Sequence, residues 1–205
     1  MKKILTILLC LTTLTTFGQN CEQIADQLIE KLNSSALKTD FNISVTQPDV
    51  ESSNYSGQII MRGPQFYLNI TPIKAYFDGT TLYTHDTGID EINITNPTKE
   101  ELQDINPMSI LQTLRQHSWL RFTDNFHDNT LYSIDLYPQN KMSEITKYTI
   151  QFRKTDLVPT RIIIYEIQNK TTTIILSGQK YGVDTTNRFT LDLKLHPKAT
   201  INDLR

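Results

Sequence analysis

The feature that most constrains the fold is an alternation of apolar and polar residues that recurs through most of the chain. Clear examples run from Phe41 to Val45, from Phe66 to Ile70 and from Tyr148 to Phe152. Because successive side chains of a strand point to opposite faces, this pattern predicts strands with one dry face and one solvated face. About ten or eleven such segments predict a strongly curved antiparallel sheet.

Turn signals divide these segments from one another. Asp78-Gly79 separates Ala75–Phe77 from Thr81–His85, which is typical of a tight β-hairpin. Arg161–Ile167 is apolar on nearly both faces, which predicts a central strand. Further strands are expected at Trp119–Phe126, Leu131–Tyr137, Thr172–Ser177 and Phe189–Leu195. The only tryptophan of the chain is expected in the core.

Three segments have helical character instead. Ile24, Leu28 and Leu32 form one apolar stripe at helical spacing, which predicts a helix near the start. Asn96-Pro97 and Asn106-Pro107 are both typical of helix starts, and the second helix is expected to end near His117. Helices with one apolar stripe must bury it, so we expect them against the concave side of the sheet.

The first residues predict export. Lys2 and Lys3 precede an apolar run from Ile4 to Leu14, and Thr16 and Gly18 supply the small residues that a signal peptidase requires. The run has about half of the ~20 residues needed to span a bilayer. We therefore expect residues 1–18 to be a cleaved signal peptide, and residues 19–205 to form a single soluble domain.

Charge and cysteine content narrow the possible partners and cross-links. The formal net charge is −2, and it becomes about −4 when the two lysines of the signal peptide are removed. This balance gives no electrostatic footprint for nucleic acid or for an anionic membrane. Cys21 is the only cysteine after cleavage, so no intramolecular disulfide is expected.

Motifs of catalysis and cofactor binding are missing from the sequence. There is no nucleophile elbow, phosphate loop or dinucleotide fingerprint, so we expect neither an enzyme nor a cofactor. No two histidines are spaced as ligands on one helix or strand, so no metal site is predicted. Asp135 and Asp192 fall within expected strands, where we interpret them as outward-facing on a two-faced strand, the alternative being a buried and perturbed carboxylate. The histidines are His85, His117, His127 and His196.

An ordered series of motifs carries a resemblance to a known family. The segment YSGQIIMRGPQFYLN, followed by YFDGTTLYTHDTGIDEINITNPTKEELQDINPMSILQTL, resembles the outer-membrane lipoprotein carrier (LolA) family, particularly its Bacteroidetes-type members. DLVPTRIIIYEIQNKTTTIILSGQKYG is similar to the late hairpin of that family, and HPKATINDLR is similar to its proline-containing tail.

This resemblance implies a fold and a function. The fold would be an incomplete, open β-barrel with a helical lid over an apolar cavity. The function would be that of a periplasmic carrier, which accepts acylated lipoproteins from an inner-membrane exporter and delivers them to an outer-membrane acceptor. A monomer is expected, because handing over cargo requires an unobstructed mouth.

The dry faces of the predicted elements supply candidate cavity and lid residues. The alternative is that the same residues form an ordinary filled core. Arg62 is a candidate lid latch by analogy with an arginine of proteobacterial members, the alternative being a solvated strand arginine. The apolar candidates are Ile43, Ile59, Met61, Phe66, Leu68, Leu82, Ile110, Leu111 and Leu114.

Other functions remain open at this stage. The same fold could sense acylated lipoproteins and signal to a protein partner, or carry another lipid without lipoprotein transfer. An enzyme acting on lipid or glycan would require a pair of carboxylates or histidines that meet in the cavity.

Overall fold

The computed structural model describes residues 20–98, 101–102 and 117–205. This part of the chain contains one α-helix that is described over its whole length, and twelve strands. In chain order they are α1 (Cys21–Ser34), β1 (Leu37–Gln47), β2 (Val50–Arg62), β3 (Gln65–Ile70), β4 (Ile73–Phe77), β5 (Leu82–Asp86), β6 (Glu91–Thr95), β7 (Ser118–Phe122), β8 (Leu131–Pro138), β9 (Ile145–Arg153), β10 (Pro159–Glu166), β11 (Thr171–Tyr181) and β12 (Thr200–Asp203).

All twelve strands belong to one sheet. Its spatial order is β12-β6-β5-β4-β3-β2-β1-β11-β10-β9-β8-β7, and every pairing is antiparallel except that of β12 with β6. The end strands β7 and β12 do not pair with each other, so the sheet is an incomplete barrel. The expected curved, open sheet with helical cover is confirmed.

The helix α1 forms where the apolar stripe predicts it. Asn20 caps it reciprocally with Gln23: the Asn20 side chain accepts from the Gln23 backbone N–H at 2.7 Å, and the Asn20 N–H donates to the Gln23 side chain at 3.3 Å. Its stripe, including Ile24, Leu28 and Leu32, is buried in the main hydrophobic core. This core consists of α1 and the concave face of the sheet.

The hairpin predicted at Asp78-Gly79 is confirmed. It joins β4 to β5, with the Asp78 carboxylate accepting from the backbone N–H groups of Thr80 and Thr81. The strand predicted at Arg161–Ile167 is also confirmed as β10, which pairs on both sides, although Ile167 itself begins a short 3-10 turn.

The strand predicted at Phe189–Leu195 is wrong. Leu193–Leu195 is a 3-10 turn, and the last strand is β12 instead. Phe189 is buried outside the main core. Burial raises the pKa of Tyr67, and the nearby positive charge of Arg188 offsets part of this rise. The His196 ring contacts that of His85, so this segment lies over the outer face of β3–β6. It buries an outer layer of apolar residues that includes Ile60, Ile92 and Ile94.

Three further predictions are corrected at β7 and in the C-terminal segment. The strand predicted at Trp119–Phe126 ends at Phe122. Trp119 is 62% exposed rather than in the core, because its neighbour Leu120 takes the inward position of this edge strand. Asp192 lies outside any strand and caps the 3-10 turn by accepting from the Lys194 N–H at 3.0 Å.

Two predicted helices fall largely outside the described residues. Thr98 begins the first of them: its hydroxyl accepts from the Glu101 N–H at 3.3 Å, and the Glu101 carboxylate accepts from the Thr98 N–H at 2.7 Å. Most of the helix predicted from Asn106-Pro107 lies outside the description, up to His117. Among the described residues, no helix combines the length and the apolar character that a membrane span requires.

Candidate functional site

An apolar cleft lies between α1 and the strands β7–β9, under the concave face. Every residue that lines it is apolar, and it encloses about 20 Å³. That volume holds about one water molecule, far less than an acyl chain requires. In this state α1 packs down on the sheet. The lining residues are Ala25, Leu28, Ile29, Leu120, Ile134, Leu136, Ile150 and Phe152.

The C-terminal end of α1 is fastened to the sheet. The Lys31 ammonium donates to the backbone carbonyl of Asp156, in the β9–β10 connection, and lies 4.7 Å from the ring centroid of Tyr181 in β11. Burial, with a smaller contribution from the Asp156 carboxylate, raises the pKa of Tyr181 to about 12. These contacts fix one end of α1, whereas Ala25 and Ile29, further toward its start, line the cleft.

The structure brings most of the predicted cavity residues together. Ile59, Met61, Phe66, Leu68 and Leu82 are all buried in the main core on the concave face, and each is at most 7% exposed. They are close-packed parts of the core rather than walls of the cleft beside β7–β9. Their role as cavity residues stays a prediction.

The other predicted apolar candidates are less well placed or lie outside the description. Ile43 is half-buried and packs against the edge of the core. Ile110, Leu111 and Leu114 lie outside the described residues.

Arg62 lies on the outer side of the sheet. It is exposed, and it follows Met61, whose side chain occupies the concave face of β2. Alternation along the strand therefore directs Arg62 away from the concave face and α1. This placement favours the solvated arginine over the lid latch.

Sequence reasoning missed the residues of the cleft wall on β7–β9. Ile134, Leu136 and Ile150 were recognisable as dry-face residues. The sequence carried no signal that α1 covers them.

The outer face of β7–β9 carries a buried carboxylate. Asp135 faces away from α1, as interpreted from the sequence, but it is only 2% exposed. Its Oδ1 accepts from the hydroxyls of Thr123 and Thr149 at 2.8 and 2.7 Å, and its Oδ2 lies 3.4 Å from the Lys147 ammonium. These hydrogen bonds satisfy the buried carboxylate, which indicates a structural role for Asp135.

The fold also brings together two histidines that are far apart in the sequence. His85, on the outer face of β5, and His196, in the C-terminal segment, meet beside Asp90. Among the described residues this is the group of histidine and carboxylate side chains with the geometry of metal ligands. Spacing along the chain could not reveal it.

Comparison with known proteins identifies the family. The family model described as outer membrane lipoprotein carrier protein LolA matches residues 14–168, well over half of the chain. The chain belongs to the LolA family. The match spans α1 and the strands β1–β10, and therefore includes the whole cleft. Membership among the Bacteroidetes-type members stays a prediction.

Solved structures show the same fold at low sequence identity. A LolA superfamily protein from Nitrosomonas europaea is 12% identical, with a TM-score of 0.50, covering 85% of this chain and 99% of its own. An uncharacterized conserved protein from Thermus thermophilus is 8% identical, with a TM-score of 0.58, covering 88% and 98%. No curated protein gives a significant sequence match to this LolA family member.

Proposed function

We propose that this LolA family member binds acyl chains of lipoproteins and carries them through the periplasm, from an inner-membrane exporter to an outer-membrane acceptor. In this proposal the signal peptide is cleaved after Gly18, and residues 19–205 form the carrier. The observation that carries the proposal is the wholly apolar cleft between α1 and β7–β9, in a chain of this family. The role is one of binding rather than catalysis.

The energetics explain why such a carrier has to shield its load. Each buried CH₂ contributes about 0.8 kcal/mol, so exposing one sixteen-carbon chain to water costs roughly 12 kcal/mol. Free passage through an aqueous compartment is negligible at that cost. A carrier recovers most of it by burying the chain against apolar side chains.

The small volume of the cleft implies that binding requires movement of α1. The acyl chain would enter at Ala25 and Ile29 and lift α1 from the sheet, while the Lys31 contacts hold the other end of the helix. Met61 and Phe66 would then line the deeper wall. The free energy of opening is subtracted from the binding free energy, which keeps affinity low enough for release.

The first experiment measures binding to the purified chain of residues 19–205. A triacylated lipopeptide is titrated against it, with the unacylated peptide as the control. We expect saturable binding of the acylated form alone. If neither peptide binds, the proposed acyl cavity is refuted.

A pair of matched variants tests the cleft itself. Ile29→Trp adds bulk where α1 faces β7–β9, whereas Gln27→Trp adds the same bulk on the exposed side of α1. We expect Ile29→Trp to weaken lipopeptide binding by at least about tenfold, and Gln27→Trp to leave it unchanged. Equal affinities for both variants would place the binding site elsewhere.

The thiol of Cys21 reports the movement of α1. Cys21 is the single cysteine of the proposed mature chain and is buried at the start of this helix. If the lipopeptide lifts α1, the rate of its reaction with an aromatic disulfide reagent rises on binding. Transfer of the bound lipopeptide to acceptor vesicles then distinguishes a carrier from a sensor, which binds without transfer.

A further inference from the structure

Two histidines and one aspartate meet on the outer face at the β5–β6 hairpin. The Nε2 of His85 lies 3.0 Å from Oδ1 of Asp90. The His196 ring stands edge-on to that of His85, with 4.7 Å between centroids and 73° between planes. One ligand atom from each residue lies within 4.8 Å of the other two. We propose that His85, Asp90 and His196 bind a divalent transition-metal ion of the zinc class.

The donor set selects this class of ion. Two imidazoles and one carboxylate, completed by water, suit zinc and its first-row neighbours, whereas magnesium and calcium prefer oxygen ligands alone. Tetrahedral zinc with bonds of 2.0–2.1 Å places its donors about 3.3 Å apart. His85 and Asp90 already have this separation, and the widest pair must close by roughly 1.5 Å at most, which a side-chain rotation can supply.

Two of the three donors stand on a rigid hairpin. His85 is only 5% exposed, so its ring is held by packing. Asp90 has a left-handed backbone with φ of 52°, which aspartate tolerates and which ends the turn before β6. The turn is fastened by Thr87, whose N–H and hydroxyl donate to the Pro72 carbonyl at 3.0 and 2.7 Å.

The site remains open to solvent on one side. The side chain of Asp90 is 51% exposed, so an ion and its water ligand can approach without any rearrangement of the hairpin. Binding requires the hydrogen-bonding proton between His85 Nε2 and Asp90 Oδ1 to move to Nδ1 of His85 or to solvent, together with the side-chain rotation that closes the widest donor pair. The ion then replaces one hydrogen bond by three coordinate bonds.

The third donor arrives from the distant end of the chain. His196 sits in a turn in which its N–H donates to the Leu193 carbonyl at 3.0 Å and its carbonyl accepts from the Ala199 N–H at 3.2 Å. The Thr200 N–H then donates to the Asp90 carbonyl at 3.0 Å. A bound ion would therefore clasp the C-terminal segment to the β5–β6 hairpin.

The proposed metal site is independent of the acyl-binding function. Leu82 faces the concave core, and His85, three residues further along β5, points to the opposite face of the sheet. The ion would therefore lie on the opposite side of the sheet from the cleft. Lipopeptide binding and metal binding can therefore fail separately. Their effects are measured with different ligands.

The experiment uses the chain of residues 19–205, purified without a histidine tag and freed of metal with a chelator. Zn²⁺ binding is measured by calorimetry, and Co²⁺ serves as a spectroscopic probe, because tetrahedral Co²⁺ absorbs far more strongly than octahedral Co²⁺. We expect one ion per chain. An ion that binds only the folded state, present at 100 times its dissociation constant, should raise Tm by about 5 to 10 °C.

Variants separate this site from adventitious binding. His196→Gln should lower Zn²⁺ affinity by at least about tenfold and abolish the Tm shift, while the metal-free Tm stays unchanged. Asp90→Asn keeps an acceptor for His85 and tolerates the same backbone, but its loss of charge should also weaken binding. His127→Gln is the control, because His127 is exposed in the β7–β8 connection.

The proposal is overturned by any of three results. The wild-type chain fails to bind one Zn²⁺ saturably, or His196→Gln binds as tightly as wild type, or His127→Gln loses as much affinity as His196→Gln. The proposal is supported if His196→Gln and Asp90→Asn lose Zn²⁺ affinity while His127→Gln retains the affinity of the wild type.

Discussion

Gly57 lies in β2, at a point where the neighbouring strands β1 and β3 approach it closely. A Cβ built on Gly57 would meet the backbone oxygen of Asn69 within van der Waals distance. It would also lie 2.6 Å from the Phe41 ring and 2.9 Å from the Ile70 side chain. Glycine therefore lets β2 bend closely onto β3 beneath the Phe41 ring. We predict that Gly57→Ala destabilises the fold.

The magnitude follows from two opposed effects. Overpacking typically costs 1–3 kcal/mol, and we expect about 3 kcal/mol here because a backbone oxygen cannot swing away as a side-chain end can. Replacing glycine by alanine in a strand stabilises the fold by about 0.5–1 kcal/mol, because the unfolded chain then has less conformational entropy to lose. The net loss in the free energy of unfolding is then about 2 kcal/mol, and Tm falls by about 4–8 °C.

Urea unfolding followed by far-UV circular dichroism measures this difference. Circular dichroism is preferred because Trp119 is 62% exposed, which leaves its fluorescence a weak reporter of unfolding. Gly88→Ala is the control: its Cβ would meet side-chain atoms only, the nearest being Oδ1 of Asp86 at 3.1 Å, so a change of at most about 1 kcal/mol is expected. If Gly57→Ala proves as stable as wild type, the close approach of β2 to β3 is refuted.

Three further predictions concern single side chains. Asp135→Ala should lower the free energy of unfolding by about 3 kcal/mol in urea titrations, because two threonine hydroxyls and Lys147 lose their buried acceptor; a loss below about 1 kcal/mol would contradict this. Tyr181 has a pKa raised to about 12, so its contribution to stability is complete below pH 10 and is lost as the pH rises from about 10 to 12. Tyr181→Phe should therefore make Tm fall less steeply between pH 10 and 12. If Tm falls as steeply in the variant as in the wild type, Tyr181 does not cause the decline. Arg62→Leu should leave both folding and lipopeptide release unchanged, because Arg62 faces away from α1; blocked transfer to acceptor vesicles would restore the latch hypothesis.

The sheet could be predicted because alternation reports directly which side chains share a face. The hairpin at Asp78-Gly79 and the apolar stripe of α1 could also be predicted, because turn residues and helical spacing are local properties of the sequence. Alternation does not report whether a segment is hydrogen-bonded into a ladder. The segment from Phe189 to Leu195 alternates, yet it lies across the sheet instead of joining it.

The candidate site was less predictable, because it depends on which helix packs against which strands of the sheet. Periodicity marked Leu68 and Ile134 alike as dry-face residues, but only packing against α1 distinguishes the cleft wall from the close-packed core. Trp119 and Leu120 are both apolar neighbours on an edge strand, and the sequence gives no preference for which one turns inward. The meeting of His85 with His196 likewise arises only when the C-terminal segment lies down on the outer face.

The position of β1 between β2 and β11 sets an order of assembly for the chain. Hairpin neighbours such as β4 and β5, or β8 and β9, can pair as soon as both have been synthesised. The seam between β1 and β11 joins residues near the two ends of the chain, and β12 pairs with β6 later still. Such long-range pairing is slow, because the chain loses the entropy of closing a long loop before the contacts that offset this loss can form. A chain with this topology therefore cannot complete its sheet until nearly all of it has been synthesised.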